Sequence, residues 1–350
     1  RIATGHTASD QAETVLYRFL RGSGLAGLSG IRPVTSNGLV RPLLSSWRPE
    51  IEKWLGERDV RWRQDASNQD VAFARNRLRH ETLPMLREAF NPNLDRTLAQ
   101  MAILAQDEES YWQLNADKIS VGVGPAGGPV ILLAGPLAEG PPALARRQVR
   151  YAFERVKGDL RQIDYPHVET ILELARAGPG HNRVQLPGLD VIRSFEWIRI
   201  APVGFDSGER DFQMAVEIPG SVQLPGGGQM TFELIGSEVA AESYDRVGKE
   251  LDWQKLLSIY APGASCGDDG FDLFELRNWR PGDHYHSAGQ SQDKKLKTLF
   301  QEERIPLWER RHWPVLTCHG EIVWSRRFGP AAILASRAGC LAVVRITEIL

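Results

Sequence analysis

The segment between Ala3 and Gly24 constrains the fold of this chain most strongly. Its first residues are typical of the end of a β-strand that reaches His6, and apolar residues at helical spacing follow between positions 15 and 20. We expect Ser9 or Asp10 to cap this helix, and a glycine-rich turn to end it. A strand that feeds a helix so directly is typical of an α/β domain with a largely parallel sheet.

The residues up to about position 90 continue this alternation. The sequence predicts a helix over 50–57, a short strand over 60–63 and a helical stretch over 71–90. We expect a break or kink near Pro84, because proline has no backbone N–H to donate. Strand and helix therefore alternate throughout this part of the chain.

The pattern changes twice in the remaining sequence. From Asn91 the apolar residues keep a helical period, and after Gly178 they alternate in the manner of strands. The last eighty residues mix strands with one helix over 293–303. We therefore predict a multidomain chain with four parts: an α/β domain over 1–92, a mainly helical region over 93–204, a β-rich connection over 205–269 and a small α+β domain over 270–350.

Charge is distributed unevenly along the 350 residues. The two ends are basic, with 15 Lys and Arg against 11 Asp and Glu in residues 1–100 and 12 against 9 in 270–350, whereas residues 101–269 carry 15 against 24. A polyanionic partner is therefore expected at the ends. Three widely spaced cysteines, no apolar run of membrane-spanning length and no signal-peptide pattern predict a cytoplasmic protein that does not enter a membrane.

The first candidate site consists of His6, Asp10 and Glu13. The two carboxylates lie three positions apart on the predicted helix and share a face, and His6 ends the preceding strand. Ligands of open parallel sheets bind at the carboxyl ends of strands, beside helix N-termini. The carboxylates can hold Mg²⁺ or pair with an ammonium group, although a capping acid, a solvated Glu13 and a packed His6 fit the same spacing.

A glycine-rich turn and a basic helix form the second and third candidates. In Arg21-Gly22-Ser23-Gly24, the glycines expose backbone N–H groups to an anion and Arg21 adds a charge suited to phosphate. Arg75 and Arg79 share a helix face that can hold phosphates, whereas Arg77 is turned away. An ordinary helix stop and a solvated basic helix are the respective alternatives.

Cations and aromatic residues are interleaved near the C-terminus. The cations are Arg277, Arg280, Lys294, Lys295 and Lys297. Such a surface suits a structured RNA, because phosphates set the affinity and unpaired bases stack on aromatic rings, although ordinary surface charge fits the same pattern. His284 and His286 have no third ligand nearby in the sequence, so we predict no metal site formed by the chain alone.

These four segments, in this order, resemble the tRNA(Ile)-lysidine synthetase family, bacterial enzymes of the N-type ATP pyrophosphatase superfamily. At the N-terminus the matching sequences are ATGHTASDQAETVLYRFLRGSGLAGLSGI at 3–31, RPLL at 41–44 and DASNQDVAFARNRLRHETLPMLREAFNP at 65–92. At the C-terminus they are LRNWRPGDH at 276–284, DKKLKTLFQEERIPLWERRHWPVL at 293–316 and EIVWSRRFG at 321–329.

The resemblance implies both a fold and a reaction. Residues 1–92 are expected to be the C-terminal part of an adenine-nucleotide α-hydrolase-like, Rossmann-like domain. ATP, with Mg²⁺, is expected to adenylate C2 of the wobble cytidine in tRNA(Ile) with a CAU anticodon, and free lysine to displace AMP. The product, lysidine, changes decoding from AUG to AUA. The sequence leaves a homodimer open.

The resemblance also implies roles for the candidate residues. Asp10 and Glu13 would recognise the lysine ammonium or position Mg²⁺, while His6 orders the site. The residues expected to face a phosphate or the reacting nucleotide are Arg21, Gly22, Ser23, Gly24 and Arg75. The residues expected to contact tRNA are Arg77, Arg79, Arg277, Arg280, Lys294, Lys295 and Lys297. We expect Arg79, together with Arg75, to stabilise charge on the phosphoryl group as well.

The sequence departs from the family pattern in two ways. The family often has a second histidine at Thr7 and an aspartate at Ser9. Its pyrophosphate loop, SGGxDS, does not occur in the chain, so we expect an N-terminally truncated protein that binds ATP poorly and is inactive alone. Two alternatives are a non-catalytic tRNA-binding module and another tRNA-modifying N-type ATP pyrophosphatase. Thiolases of that superfamily commonly use cysteines or a metal, and residues 1–92 contain no cysteine.

Overall fold

The computed structural model of the chain contains two compact units, Arg1–Ser120 and Val121–Leu350. The residues that the structure describes are 1–35, 37–63, 66–116, 121–123, 127–178, 180–206, 211–225, 227–236, 250–262, 274–337 and 339–349. Cys266, one of the three cysteines, lies outside them, as do residues 271–273, the start of a strand that the sequence predicts over 271–276.

The first unit has the strand–helix–strand arrangement that the sequence predicts. Strand β1 (Ile2–Ala3) pairs in parallel with β2 (Leu39–Val40), and α1 (Ala8–Leu20) lies between them in the sequence. Parallel strands need such a crossover connection, so the pairing confirms an α/β domain. The helices that follow are α2 (Leu25–Leu28), α3 (Arg48–Gly56), α4 (Ala74–Arg77), α5 (Leu83–Ala89) and α6 (Leu94–Ala116).

Helix α1 begins earlier than the sequence predicts. Thr7 caps it, and the prediction of Ser9 or Asp10 as the cap is wrong, because Thr7 already has extended backbone with φ −115°. Asp10 instead returns a hydrogen bond, since its carboxylate accepts from the backbone N–H of Thr7 at 2.9 Å. This reciprocal capping box fixes the orientation of the Asp10 side chain.

The predicted helical stretch over 71–90 is interrupted. A π-helical turn, Leu78–Thr82, separates α4 from α5 just before Pro84, where the missing N–H prevents a regular α-helical bond. The strand predicted over 60–63 is wrong, because these residues are exposed and pair with no strand in the described part of the chain. In the core of the unit, Leu16, Leu78 and Leu83 pack with leucines of α6.

The second unit begins with a five-stranded antiparallel sheet in the order β3-β4-β7-β6-β5. The strands are β3 (Val121–Val123), β4 (Val130–Leu133), β5 (His181–Leu186), β6 (Leu189–Ser194) and β7 (Trp197–Pro202). The helices packed on it are α7 (Ala134–Glu139), α8 (Pro142–Lys157) and α9 (Tyr165–Arg176). Strands β5, β6 and β7 lie where the sequence predicts strands after Gly178, whereas β3 and β4 were not predicted, because apolar runs such as Val130–Leu133 do not distinguish a buried strand from a helix.

Two further sheets complete the second unit. The strands and helices in chain order are β8 (Gln213–Val216), β9 (Gly220–Gln223), β10 (Gln229–Gly236), β11 (Leu251–Asp252), α10 (Trp253–Tyr260), β12 (Phe274–Asn278), β13 (His284–Tyr285), β14 (Lys294–Lys295), α11 (Leu296–Glu302), α12 (Leu307–Arg310), β15 (Pro314–Cys318), β16 (Glu321–Ser325), β17 (Gly329–Pro330) and β18 (Ala342–Ile349). One sheet has the order β17-β16-β15-β12-β8 and the other β11-β18-β10-β9. Both sheets join strands from either side of position 270, where the sequence predicts a boundary.

Helix α11 positions the predicted basic residues. It begins at Leu296 and not at Asp293, because Lys294 and Lys295 pair with the short strand β13. Leu296, Leu299 and Phe300 are buried, as their spacing predicts. Among the described helices of both units, none is long and apolar enough to cross a membrane.

Candidate functional site

An N-terminal charge cluster, formed by Asp10, Glu13, Arg48, Arg75 and Arg79, lies at the start of α1. The Glu13 side chain is only 4% exposed. Its carboxylate accepts two hydrogen bonds from Arg79, at 2.5 Å from Nε and 2.8 Å from Nη2, and one from Arg75 Nε at 3.2 Å. The paired contacts from one guanidinium give this ion pair a fixed geometry.

The Asp10 carboxylate is shared between the helix cap and the arginines. Its Oδ2 accepts from the Thr7 hydroxyl at 2.7 Å, and its Oδ1 lies 3.2 Å from Nη2 of both Arg75 and Arg79. Arg48 Nη2 lies 3.9 Å from the same oxygen. Burial raises the pKa of Asp10, but the Thr7 hydrogen bonds and the charges of Arg75 and Arg48 outweigh it, so the net pKa is below the ordinary value.

Sequence spacing explains most of this cluster. Arg75 and Arg79 face the same side, as their separation of four predicts, and exposed Arg77 is outside the cluster. Arg48 was not predicted to belong to this site. Its backbone N–H donates to the Ser9 hydroxyl at 3.3 Å, which holds the start of α3 beside α1. The Arg48-Pro49 pair at a helix start was the only sequence signal for this placement.

The cluster presents cationic edges. Its three guanidiniums exceed its two carboxylates, and the side chains of Arg75 and Arg48 remain 46% and 44% exposed. The hydrogen bond to Glu13 raises the pKa of Arg79, so this residue remains charged. The described residues contain no group of three His, Cys, Asp or Glu side chains placed to hold a metal ion. The arrangement can therefore bind an anion through Arg75 and Arg48.

His6 lines a separate cavity of ≈440 Å³ in the first unit. The other lining residues are Arg18, Ala26, Ser29, Gly30, Ile31, Arg32, Thr35, Arg41, Glu109 and Gln113. The His6 ring lies 2.8 Å from the Thr4 hydroxyl. Neither Asp10 nor Glu13 lines this cavity, so the three residues of the first candidate site do not all face the same space.

Buried Gln11 fixes one wall of the His6 cavity. Its side-chain amide donates to the Ile31 carbonyl at 3.1 Å and accepts from the Ile31 N–H at 2.6 Å. Gly30 has a φ of +61°, and a Cβ there would lie 2.6 Å from the Gln11 amide oxygen. Only glycine fits this backbone without displacing Gln11.

The predicted glycine-rich turn lies outside this cavity wall. Arg21 is exposed, with its guanidinium carbon 4.9 Å from the centre of the Tyr17 ring. Gly22 adopts a φ of +76°, and Gly24 precedes α2 as its N-cap. Ser23 donates its backbone N–H to the Arg18 carbonyl. The turn therefore ends α1, and its four residues do not line the His6 cavity.

A larger cavity of ≈780 Å³ lies in the second unit. We call it the C-terminal cavity. Its lining residues are Asp211, Phe212, Gln213, Asn278, Trp279, Arg280, Pro281, Gly282, Asp283, Lys295, Lys297, Leu307, Arg310 and Arg311. Three of the five predicted C-terminal cations, Arg280, Lys295 and Lys297, line it.

The other two predicted cations have structural partners. Arg277 is buried and makes a two-point ion pair with Asp283, at 2.8 and 3.0 Å. The Lys294 ammonium lies 2.8 Å from the Glu302 carboxylate. Arg310 and Arg311 also line the cavity, although they were not among the predicted cations.

Comparison with known proteins gives matches along most of the chain. Residues 1–86 match the model of a PP-loop domain, 132–197 that of the TilS substrate binding domain, and 274–340 that of the TilS substrate C-terminal domain. A protein of Solibacter usitatus named tRNA(Ile)-lysidine synthase is 46% identical over 100% of this chain and 77% of its own length.

Other relatives carry the same name. The protein from Geobacter sulfurreducens is 35% identical over 99% of this chain and 71% of its own length, and that from Symbiobacterium thermophilum is 33% identical over 99% and 72%. A crystal structure of a TILS C-terminal domain aligns with 39% of this chain and 95% of its own, at 20% identity and a TM-score of 0.30. Because these family models and relatives match it along its length, the chain belongs to the tRNA(Ile)-lysidine synthase family.

Proposed function

We propose that this protein takes part in the ATP-dependent ligation of free lysine to C2 of the wobble cytidine of tRNA(Ile) with a CAU anticodon. In the proposed reaction an adenylated cytidine forms first, with release of diphosphate, and the lysine amine then displaces AMP. The observation that supports this most directly is the 46% identity, along the whole chain, to a protein named tRNA(Ile)-lysidine synthase. The bacterial cytoplasm is its proposed location.

For the N-terminal charge cluster we propose phosphate binding by the exposed edges of Arg75 and Arg48. Asp10 and Glu13 then act as positioning residues, because they hold the two arginines of the 75–79 turn in place. In this arrangement a lysine ammonium or Mg²⁺ can reach either carboxylate only if an arginine moves away. Displacement of Arg75 by the lysine substrate is therefore part of the proposal.

The His6 cavity is proposed to take part of a nucleotide. Arg32 and Arg41 supply positive charge to its wall, and Gln11 keeps the wall rigid. Arg21 and the Gly22–Gly24 turn are proposed to face a phosphate or the reacting nucleotide, because the turn is accessible and the Arg21 guanidinium pairs with no carboxylate among the described residues.

The proposed tRNA contacts of the second unit involve the cations that line the C-terminal cavity. Arg280, Lys295 and Lys297 are exposed, and within the described residues their charged side-chain groups pair with no carboxylate. Arg277 and Lys294 support that surface through Asp283 and Glu302. A phosphate backbone would be attracted by the first group and not by the second.

The test is transfer of radiolabelled lysine to a tRNA(Ile) transcript by the protein as its gene encodes it, including any residues before Arg1. We expect lysine-dependent AMP release with the CAU transcript and none when the wobble cytidine is replaced by uridine. Arg75→Ala is expected to slow transfer more than Arg77→Ala, which removes the same charge outside the cluster. Binding of tRNA without lysine transfer would support a non-catalytic RNA-binding module instead.

A further inference from the structure

The C-terminal cavity has a strongly positive lining. Five cationic side chains line it against two carboxylates, Asp211 and Asp283. Both carboxylates are engaged, because Asp283 pairs with Arg277 and Asp211 accepts from the Asn278 amide at 3.0 Å. Arginine and lysine side chains that share a concave, partly enclosed surface create a field that attracts anions.

Arg310 is the unusual member of this lining. The residue is only 6% exposed, and its Nε donates to the Ile305 carbonyl at 2.8 Å. Its guanidinium carbon lies 5.6 and 5.7 Å from the ring centres of Phe195 and Phe300. No carboxylate pairs with it among the described residues, and its Nη2 has no hydrogen-bond partner.

A buried guanidinium without a counter-ion is unfavourable for the protein alone. Burial lowers the pKa of Arg310, because its charge loses hydration. The pKa of His181 is also lowered, mainly by its own burial and to a smaller extent by the positive charge of Arg310. An unsatisfied buried donor is usually explained by a function or a bound group. An anion that enters the cavity, which Arg310 lines, would supply the missing counter-charge.

Lys297 and Arg311 would complete such a site from the exposed side. Both line the same cavity, and within the described residues the Arg311 guanidinium donates to the neutral carbonyl of Asp206, at 2.8 Å, and pairs with no carboxylate. Trp279 adds a half-buried aromatic ring to the wall, packed edge-on against Phe300 at 5.1 Å between ring centres. Guanidinium, ammonium and an aromatic ring are the groups that bind the phosphate and the base of a nucleotide.

We propose that the C-terminal cavity binds one nucleotide, with its phosphate on Arg310, Lys297 and Arg311 and its base against Trp279. The nucleotide can be free in solution or can belong to an RNA strand. The phosphate site does not depend on the reaction proposed above, whereas its occupation by tRNA rests on that proposed function. The cavity volume of ≈780 Å³ is in the range of sites for ligands of this size.

The test is calorimetric titration of the 350-residue chain with 5′-CMP and with orthophosphate, at constant ionic strength set with chloride. We expect saturable binding of both, and a Kd for CMP raised about tenfold in Lys297→Ala, which corresponds to about 1.4 kcal/mol. Arg310→Gln is expected to abolish binding. The matched control is Lys53→Ala, which removes the same charge in the first unit, outside the cavity, and its Kd should stay within about twofold of wild type.

Two results would overturn the proposal. One is the absence of saturable binding of either probe to the wild-type chain, and the other is an equal loss of affinity in Lys53→Ala and Lys297→Ala. If Arg310→Gln does not fold, Lys297→Ala and Arg311→Ala decide the question, because both residues are exposed.

Competition identifies the source of the nucleotide. Displacement of labelled tRNA(Ile) by CMP, lost in Lys297→Ala, would assign the site to RNA, whereas CMP binding without displacement would assign it to a free nucleotide. Both outcomes uphold the phosphate site. Lysine transfer is measured separately, so the failure of the proposed reaction can be distinguished from the failure of this site.

Discussion

Replacing Glu13 by glutamine tests whether the N-terminal charge cluster holds the first unit together. The carboxylate is 4% exposed and accepts three hydrogen bonds from two arginines. Removing one partner of a buried ion pair costs about 3–5 kcal/mol, because the other charge remains buried without compensation. The Arg79 side chain retains 18% exposure and so regains some hydration. We therefore expect Glu13→Gln to lower the free energy of unfolding by about 2–3 kcal/mol.

Urea unfolding followed by circular dichroism measures this loss, and a double-mutant cycle assigns it to the pair. In a background of Arg79→Met, the effect of Glu13→Gln should fall to below about 1 kcal/mol, since no uncompensated guanidinium remains at that position. Glu57→Gln is the matched control, because that carboxylate is 57% exposed and lies 3.8 Å from Arg58; its effect should be below about 0.5 kcal/mol. Equal losses for Glu13→Gln in both backgrounds would show that the pair does not stabilise the unit.

Three further predictions concern single groups. The pKa of Asp10 is lowered in the folded state, so the ionised carboxylate contributes its full stabilisation above the ordinary pKa of 3.8, and this stabilisation is lost as the pH falls below that value. The difference in unfolding free energy between wild type and Asp10→Asn should therefore shrink over this acid range in urea titrations. Gly30→Ala should destabilise the chain by more than Gly22→Ala in thermal unfolding, because both have positive φ but only the first new Cβ meets Gln11; equal losses would contradict the role of Gln11. Burial raises the pKa of Cys318 to about 11, with a smaller contribution from the charge of Glu321. Iodoacetamide should therefore modify this thiol at pH 8 only after the protein unfolds, which mass spectrometry measures.

Local patterns predicted the elements that depend on short-range geometry. The separation of four between Arg75 and Arg79 placed both side chains on one face, and the spacing of Leu296, Leu299 and Phe300 placed them in the core. Pro84 correctly indicated an interrupted helix, because the missing N–H acts within one turn. The resemblance to a family, carried by the same segments, was also confirmed.

Contacts between distant segments could not be read from the sequence in the same way. Arg48 reaches Asp10 because the start of α3 lies beside that of α1, which no local pattern encodes. The carboxylates of the first site were expected to be open to a ligand, whereas the structure pairs them with arginines more than sixty positions later. Arg310 gave no sequence signal, since burial of a charge depends on the residues that surround it in space.

The position of strand β18 has a consequence for the order in which the second unit folds. It lies between β10 and β11 in one sheet, although both of those strands precede it by a long stretch of sequence. During synthesis, β10 and β11 leave the ribosome without the strand that joins them, and the strand edges that pair with β18 remain open until residues 342–349 have been added. Such non-local pairing slows folding and leaves open strand edges, so this sheet should be the region of the nascent chain most dependent on chaperones.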